Sequence, residues 1–157
     1  MIDKWDKRFL DMAALVATWS KDPTTQVGAV IVDAQSRIIS TGFNGLAQNV
    51  HDLPSRYENK HIKHQIILHA ESNAILFARQ SLTGCTIYTA PLATCAHCAS
   101  QIIQTGIARV VCRKDKVSEK WEQSAILARQ MYEEASVIFE EFGYEKEATA
   151  TTQVAKV

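Results

Sequence analysis

The sequence carries no excess of charge of either sign. Its 17 Lys and Arg residues balance 17 Asp and Glu, for a formal net charge of zero. Polynucleotide binders draw most of their affinity from a basic excess or stripe that neutralises phosphates. None is present, so a small-molecule substrate is expected and a polynucleotide partner is not. Long apolar runs are also missing. The longest, Val27 to Val32, falls far short of the ~20 residues that cross a bilayer, and no membrane partner is expected. Met1 to Asp6 lack the charged-then-apolar pattern of a secretory signal, so a cytoplasmic location is expected. Cysteine is sparse. In a cytosolic chain, Cys85, Cys95, Cys98 and Cys112 read as metal ligands, redox groups or core residues rather than a disulfide framework. Large-scale disorder is excluded, because 46% hydrophobic against 22% charged residues supplies an ordinary core. The length suits one domain, expected over residues 1–143, with a disordered tail at 144–157.

Hydrophobic periodicity orders the chain. Trp5, Phe9, Met12, Leu15, Val16 and Trp19 predict an amphipathic helix over 3–20, ended before Pro23. Residues 27–32 and 37–42 predict a hairpin around the turn 33–36. Residues 43–64 read as a long polar loop, a feature usually functional in a compact domain. Helices follow at 69–80, 95–105 and 118–135, and strands at 85–90, 108–113 and 136–140. A hairpin followed by alternating strands and helices implies a mixed sheet with helices on both faces. Right-handed crossovers put the two middle helices on one side, with their N-terminal ends at the carboxyl edge of the strands.

The chemistry-bearing residues fall at that edge. His69-Ala70-Glu71 opens one helix, and Cys95 with Cys98 opens the next. Two cysteines three apart on a first helical turn converge, and a helix N-terminus lowers a thiol pKa. Two thiolates and one imidazole make three protein ligands, which leaves the fourth tetrahedral position of Zn2+ open for water, as in catalytic sites. Zinc brings the pKa of such a water to about 7. Glu71 can then move protons between that water, a ring nitrogen and a departing amine.

These residues carry a resemblance. His69-Ala70-Glu71 followed by Cys95-x-x-Cys98 resembles the zinc-dependent cytidine and deoxycytidylate deaminase family, whose signature pairs H-x-E with C-x-x-C. Residues 20–32, 40–45, 69–75 and 104–111 resemble its deoxycytidylate branch. The likeness runs from about Trp5 to Phe142. It implies a three-layer α-β-α fold with a five-stranded mixed sheet, and one catalytic zinc per chain held by His69, Cys95 and Cys98. Glu71 becomes the proton shuttle, Asn44 the sugar contact and Ala70 the backbone contact to the pyrimidine edge. It implies conversion of dCMP to dUMP in a homo-oligomer, often a hexamer, with dCTP and dTTP as effectors.

Around that core, Thr24 and Gln26 in the first loop are candidates for substrate contact, and Arg56, Lys60, His61, Lys63 and His64 in the long loop are candidates for the phosphate. Tyr88 is a candidate for the edge of the base pocket. Gly42, Phe43 and Gly45 are candidates for an effector site, where a triphosphate would bring Mg2+. Thr94 stands where the family has Pro, so the base loop is expected to be reshaped. His51, His61 and His64 lack a cysteine companion for a second zinc. Cys85 and Cys112 read as core, His97 as exposed beside the site, and Trp121 and Met131 as helix packing. Three other functions stay open: a deaminase of a free nucleoside or another base, a polynucleotide-editing deaminase, and a zinc-stabilised interaction module in which Glu71 would have no task.

Overall fold

The computed structural model describes residues 3–114 and 119–143. The expected tail at 144–157 lies outside them. Helix α1 (Lys4–Ala17) leads into strands β1 (Gly28–Val32) and β2 (Ile38–Phe43). The short strand β3 (Gly45–Leu46), helices α2 (Pro54–Glu58) and α3 (Lys60–Ile66) and strand β4 (Ile67–Leu68) come next. Helix α4 (Ala70–Ala78), β5 (Thr86–Ala90), α5 (Ala96–Gln104), β6 (Arg109–Lys114), α6 (Glu119–Glu134) and β7 (Ile138–Gly143) follow.

The main sheet has the order β2-β1-β5-β6-β7. Strand β1 is antiparallel to β2 and β5, while β5, β6 and β7 are parallel. This is the expected five-stranded mixed sheet. Its central strands β1 and β5 are buried on both faces, and successive residues serve opposite layers. Ala29 and Ile31 join α4, α5 and α6 in one core, while Val30 and Val32 join α1 in the other. The three layers are therefore α1, the sheet, and the α4–α6 group.

Helix α1 begins with a reciprocal cap. Asp3 accepts from the N–H groups of Trp5 and Asp6, and the Asp6 carboxylate accepts from Asp3 N–H, which satisfies donors that no helical carbonyl can reach. Its buried face differs from the expected one. Trp5, Leu15 and Trp19 are about half exposed, and Phe9, Leu10, Ala13, Val16 and Ala17 face the sheet. Close approach selects the small residues. A Cβ on Gly28 would lie 2.0 Å from the Ala13 carbonyl oxygen, so only alanines on the helix and no side chain at 28 fit this crossing.

The expected loop 43–64 is more ordered than its sequence suggests. It holds α2, most of α3 and β3, and β3 pairs with β4. Helices of five and seven residues are too short to show a helical period. Pro54 sits at the start of α2. The Asn59 side chain caps α3 by accepting from His61 and Ile62 N–H, both ordinary start signals.

Gly28→Ala is expected to lower stability by about 3 kcal/mol through backbone overpacking, read as a fall in the urea midpoint at unchanged slope. A midpoint equal to wild type would mean that α1 can move off the sheet.

Candidate active site

Strands β2 and β5 run the same way because β1, reversed, lies between them. Helices α4 and α5 therefore both start at the same sheet edge. Gly42 on β2 lets α4 seat deeply, since a Cβ there would lie 2.3 Å from both Ala70 O and Ala74 N. His69 and Cys95 are the N-cap residues of the two helices, each with extended backbone. That geometry turns both side chains back across the gap.

The result is a tight cluster. His69 Nδ1 lies 3.5 Å from Cys95 Sγ and 3.3 Å from Cys98 Sγ, and the three ligand atoms all lie within 4.8 Å of one another. Tetrahedral zinc, with Zn–S about 2.3 Å and Zn–N about 2.1 Å, requires an S···N separation of about 3.6 Å. The residues present fit that ion. The hydrogen bond with Cys98, together with His69, lowers the Cys95 pKa, while the same bond and burial raise that of Cys98. A divalent cation held by the two sulfurs and His69 would favour the thiolate form of both cysteines. The hydrogen bond with Cys95 raises the His69 pKa.

Beside the cluster lies a cavity of about 280 Å³, with His69, Ala70 and Glu71 on its wall. This is near the lower end of small-ligand pockets and matches one nucleotide better than a strand. Val27, Ile67, Leu92 and Trp121 supply apolar wall, and Asp22, Thr25, Asn44, Lys63 and His64 supply polar wall. Glu71 is buried, and burial pushes its carboxyl up. Ala70 is the first residue of α4, so its N–H has no intrahelical partner.

The model of the cytidine and deoxycytidylate deaminase zinc-binding region matches residues 3–114. The chain belongs to this deaminase family. It is 46% identical over 139 residues to a protein of Aliivibrio fischeri named as an uncharacterized deaminase in the luxG 3′ region, covering 87% of this chain and 92% of that one. It is 39% identical over 145 residues to the deoxycytidylate deaminase of Homo sapiens, covering 88% of this chain and 80% of that one. The dCMP deaminase of cyanophage S-TIM5, solved in complex with dCMP and dUMP, has the same fold, with a TM-score of 0.71 at 22% identity over 90% of this chain and 99% of that one. The zinc-binding family and the His/Cys/Cys cluster together make Zn2+ the cofactor of this deaminase.

The other candidate residues of this deaminase divide. Asn44 is buried on the cavity wall, where Oδ1 accepts from Val27 N–H and Nδ2 donates to the Thr25 carbonyl. Thr24 is bonded to Lys63 and Asp22 just behind the wall. Gln26 donates to the Ser20 carbonyl and braces the loop. Tyr88 points the other way, into the α1 core, and its hydroxyl donates to Asp6 at 2.7 Å. Arg109 grips the same Asp6 and also Glu140. Arg56 donates to the His51 carbonyl and Lys60 is exposed; neither lines the cavity. Gly42 is a packing glycine under α4, Phe43 stacks edge-on with Trp19, and Gly45 faces open space. Cys85 and Cys112 are buried in the core and His97 is exposed, as expected. Trp121, expected as packing, lines the cavity.

Sequence reasoning missed Asp22 and its pairing with Lys63. Lys63 Nζ lies 2.6 Å from Asp22 Oδ2, and the side chains are 11% and 0% exposed. Asp22 also accepts from Thr24 and Thr25 N–H. Burial pushes its carboxyl up, but Lys63 and these donors hold it below its ordinary 3.8.

Because the folded value is depressed, this stabilisation is full above the unfolded carboxyl pKa and is lost as pH falls through the folded value. Lys63→Met is expected to cost about 3–5 kcal/mol at pH 7, since it strands a buried carboxylate. Thermal melts are expected to separate wild type from Asp22→Asn at pH 7 and to converge below 3.8. A gap independent of pH would mean that Asp22 is not ionised in the folded protein.

Proposed function

We propose that this deaminase hydrolyses dCMP to dUMP and ammonia in a single domain over residues 1–143, and so supplies dUMP for thymidylate synthesis. The carrying observation is the convergence of one imidazole and two thiols beside a buried glutamate on the wall of a nucleotide-sized cavity. His69, Cys95 and Cys98 hold the zinc, one ion per chain. When bound, zinc supplies a water that ionises near neutral pH. Glu71 accepts a proton from the attacking water and delivers it to the pyrimidine ring nitrogen. It then takes the remaining proton from the hydroxyl now bonded to the ring carbon and gives it to the amine as the C–N bond breaks and the carbonyl forms, so one water is consumed and one ammonia released. The Ala70 N–H meets the polar edge of the base, and Asn44 holds the sugar side of the wall.

The phosphate is read by the Thr24–Thr25 turn with the Lys63 ammonium and the His64 imidazole, both on the cavity wall, in place of Arg56 and Lys60. One observation favours a second reading. Lys63 is already paired with Asp22, and a neutralised cation contributes less to a phosphate, which leaves free deoxycytidine as the rival substrate.

Four free cysteines and the deaminase family support a reducing, cytoplasmic location. Among the described residues no helix is long and apolar enough to cross a membrane. Leu76 and Phe77 on α4 are 62% and 57% exposed, which supports a homo-oligomer, with a hexamer as the assembly. The effectors are dCTP and dTTP with Mg2+, acting at the Phe43–Gly45 turn beside Asn44. Sedimentation and rate curves with each triphosphate test these assignments; a monomer indifferent to both overturns them.

Glu71→Gln is expected to keep one zinc per chain and lose at least 10³-fold in ammonia release, measured by metal analysis and assay of the same sample. Cys95→Ala with Cys98→Ala is expected to lose the metal. Two zincs in the wild type would require a second site. On substrate, kcat/KM for dCMP is expected to exceed that for deoxycytidine by at least tenfold through the charge-assisted phosphate contact. Equal efficiencies would select the nucleoside.

A further inference from the structure

A flat pyrimidine presents a polar rim and two apolar faces. The cavity offers polar groups for the rim, but its largest apolar side chain comes from outside the α4–α5 unit. That side chain is Trp121, on the first turn of α6. Its ring centroid lies 6.1 Å from that of His69, with planes inclined by 36°.

Its placement is fixed by two bonds from the same helix to the metal-binding turn. Ser124, one turn on from Trp121, accepts from Ala96 N–H at 3.1 Å. The Tyr132 hydroxyl meets Thr94 Oγ1 at 2.8 Å. Residues 94 and 96 flank Cys95, so α6 is bolted on either side of a candidate zinc ligand. Positions 121, 124, 125, 128 and 132 recur on one helix face, and Ala125, Ala128 and Tyr132 are buried against the core. Trp121 continues this face past the core and onto the cavity wall.

We propose that Trp121 is a specificity-determining residue whose indole packs against the base of the bound substrate, an inference that rests on the deaminase reading of this cavity. It performs no proton transfer. It binds the ring and limits the space beside it, so its loss acts on KM rather than on the chemical step.

The test uses the full chain. Trp121→Ala is expected to raise KM for dCMP about tenfold, as for loss of a base–aromatic contact, and to lower kcat less than threefold. Trp121→Phe restores KM to within about threefold. In Glu71→Gln, where turnover is blocked, dCMP quenches tryptophan emission, and adding Trp121→Phe abolishes the quench although Trp5 and Trp19 remain. Zinc content and melting temperature monitor the fold; if Trp121→Ala unfolds, Trp121→Phe and the quenching carry the test. An unchanged KM in folded Trp121→Ala, or a quench that persists without Trp121, overturns the proposal. The substrate reading fails separately, by absence of ammonia release from dCMP in the wild type. Quenching is then scored with whichever cytosine compound the wild type deaminates.

Discussion

The site depends on two helix N-termini meeting at one edge of a sheet. His69 and Cys95 are 26 residues apart in sequence, yet both must stop just short of a helix, with extended backbone, for their side chains to converge. That requires β2 and β5 to run the same way. It also requires α4 to lie so close to β2 that no side chain fits at Gly42. Without this glycine, α4 would ride higher and carry His69 away from the two sulfurs. A zinc site tolerates only a few tenths of an ångström in its bond lengths, so a backbone contact well outside the cluster sets the metal geometry.

A second layer of order comes from a buried ion pair. Asp22 has no exposed side-chain surface and gathers donors from its own loop, from Lys63 on α3 and, at 3.4 Å, from Asn44. Asn44 in turn ties the loop to β1 through Val27 N–H. These three residues join the first loop, the end of β2 and the 54–66 helical segment into one wall. The pair does so at the cost of desolvating two charges. Such pairs are weak evidence of net stability but strong determinants of geometry, because breaking one strands the other charge.

The legible parts of this molecule were those written locally. His69, Glu71, Cys95 and Cys98 stood out because each pair opens a helix at a spacing with a chemical meaning. The sheet was legible from alternating strands and helices. Tyr88 was misplaced for want of strand parity: Ile87 and Tyr88 must face opposite layers, and Ile87 packs with the helices that carry the site. Nothing local distinguishes Lys63 from Lys60 or Arg56. Only the docking of α3 against the 20–27 loop buries one cation and leaves the others in solvent. The α1 face was misjudged because aromatic bulk drew attention from the alanines that the Gly28 contact requires. Trp121 read as packing because most of its helix face is packing.

The region matched by the deaminase family ends at residue 114, and α6 begins at 119. Thr94, which stands where the family has proline, spends its hydroxyl on Tyr132 of that helix. The zinc ligands and Trp121 are thus carried on separate stretches of one polypeptide, joined by the packed face of α6 and by its bonds on either side of Cys95. On the proposed role of Trp121, a substitution in the first turn of α6 would retune which base is admitted while the metal-binding and proton-moving residues stay untouched. The price of acquiring a new substrate is then a change in a cover rather than in the machinery beneath it.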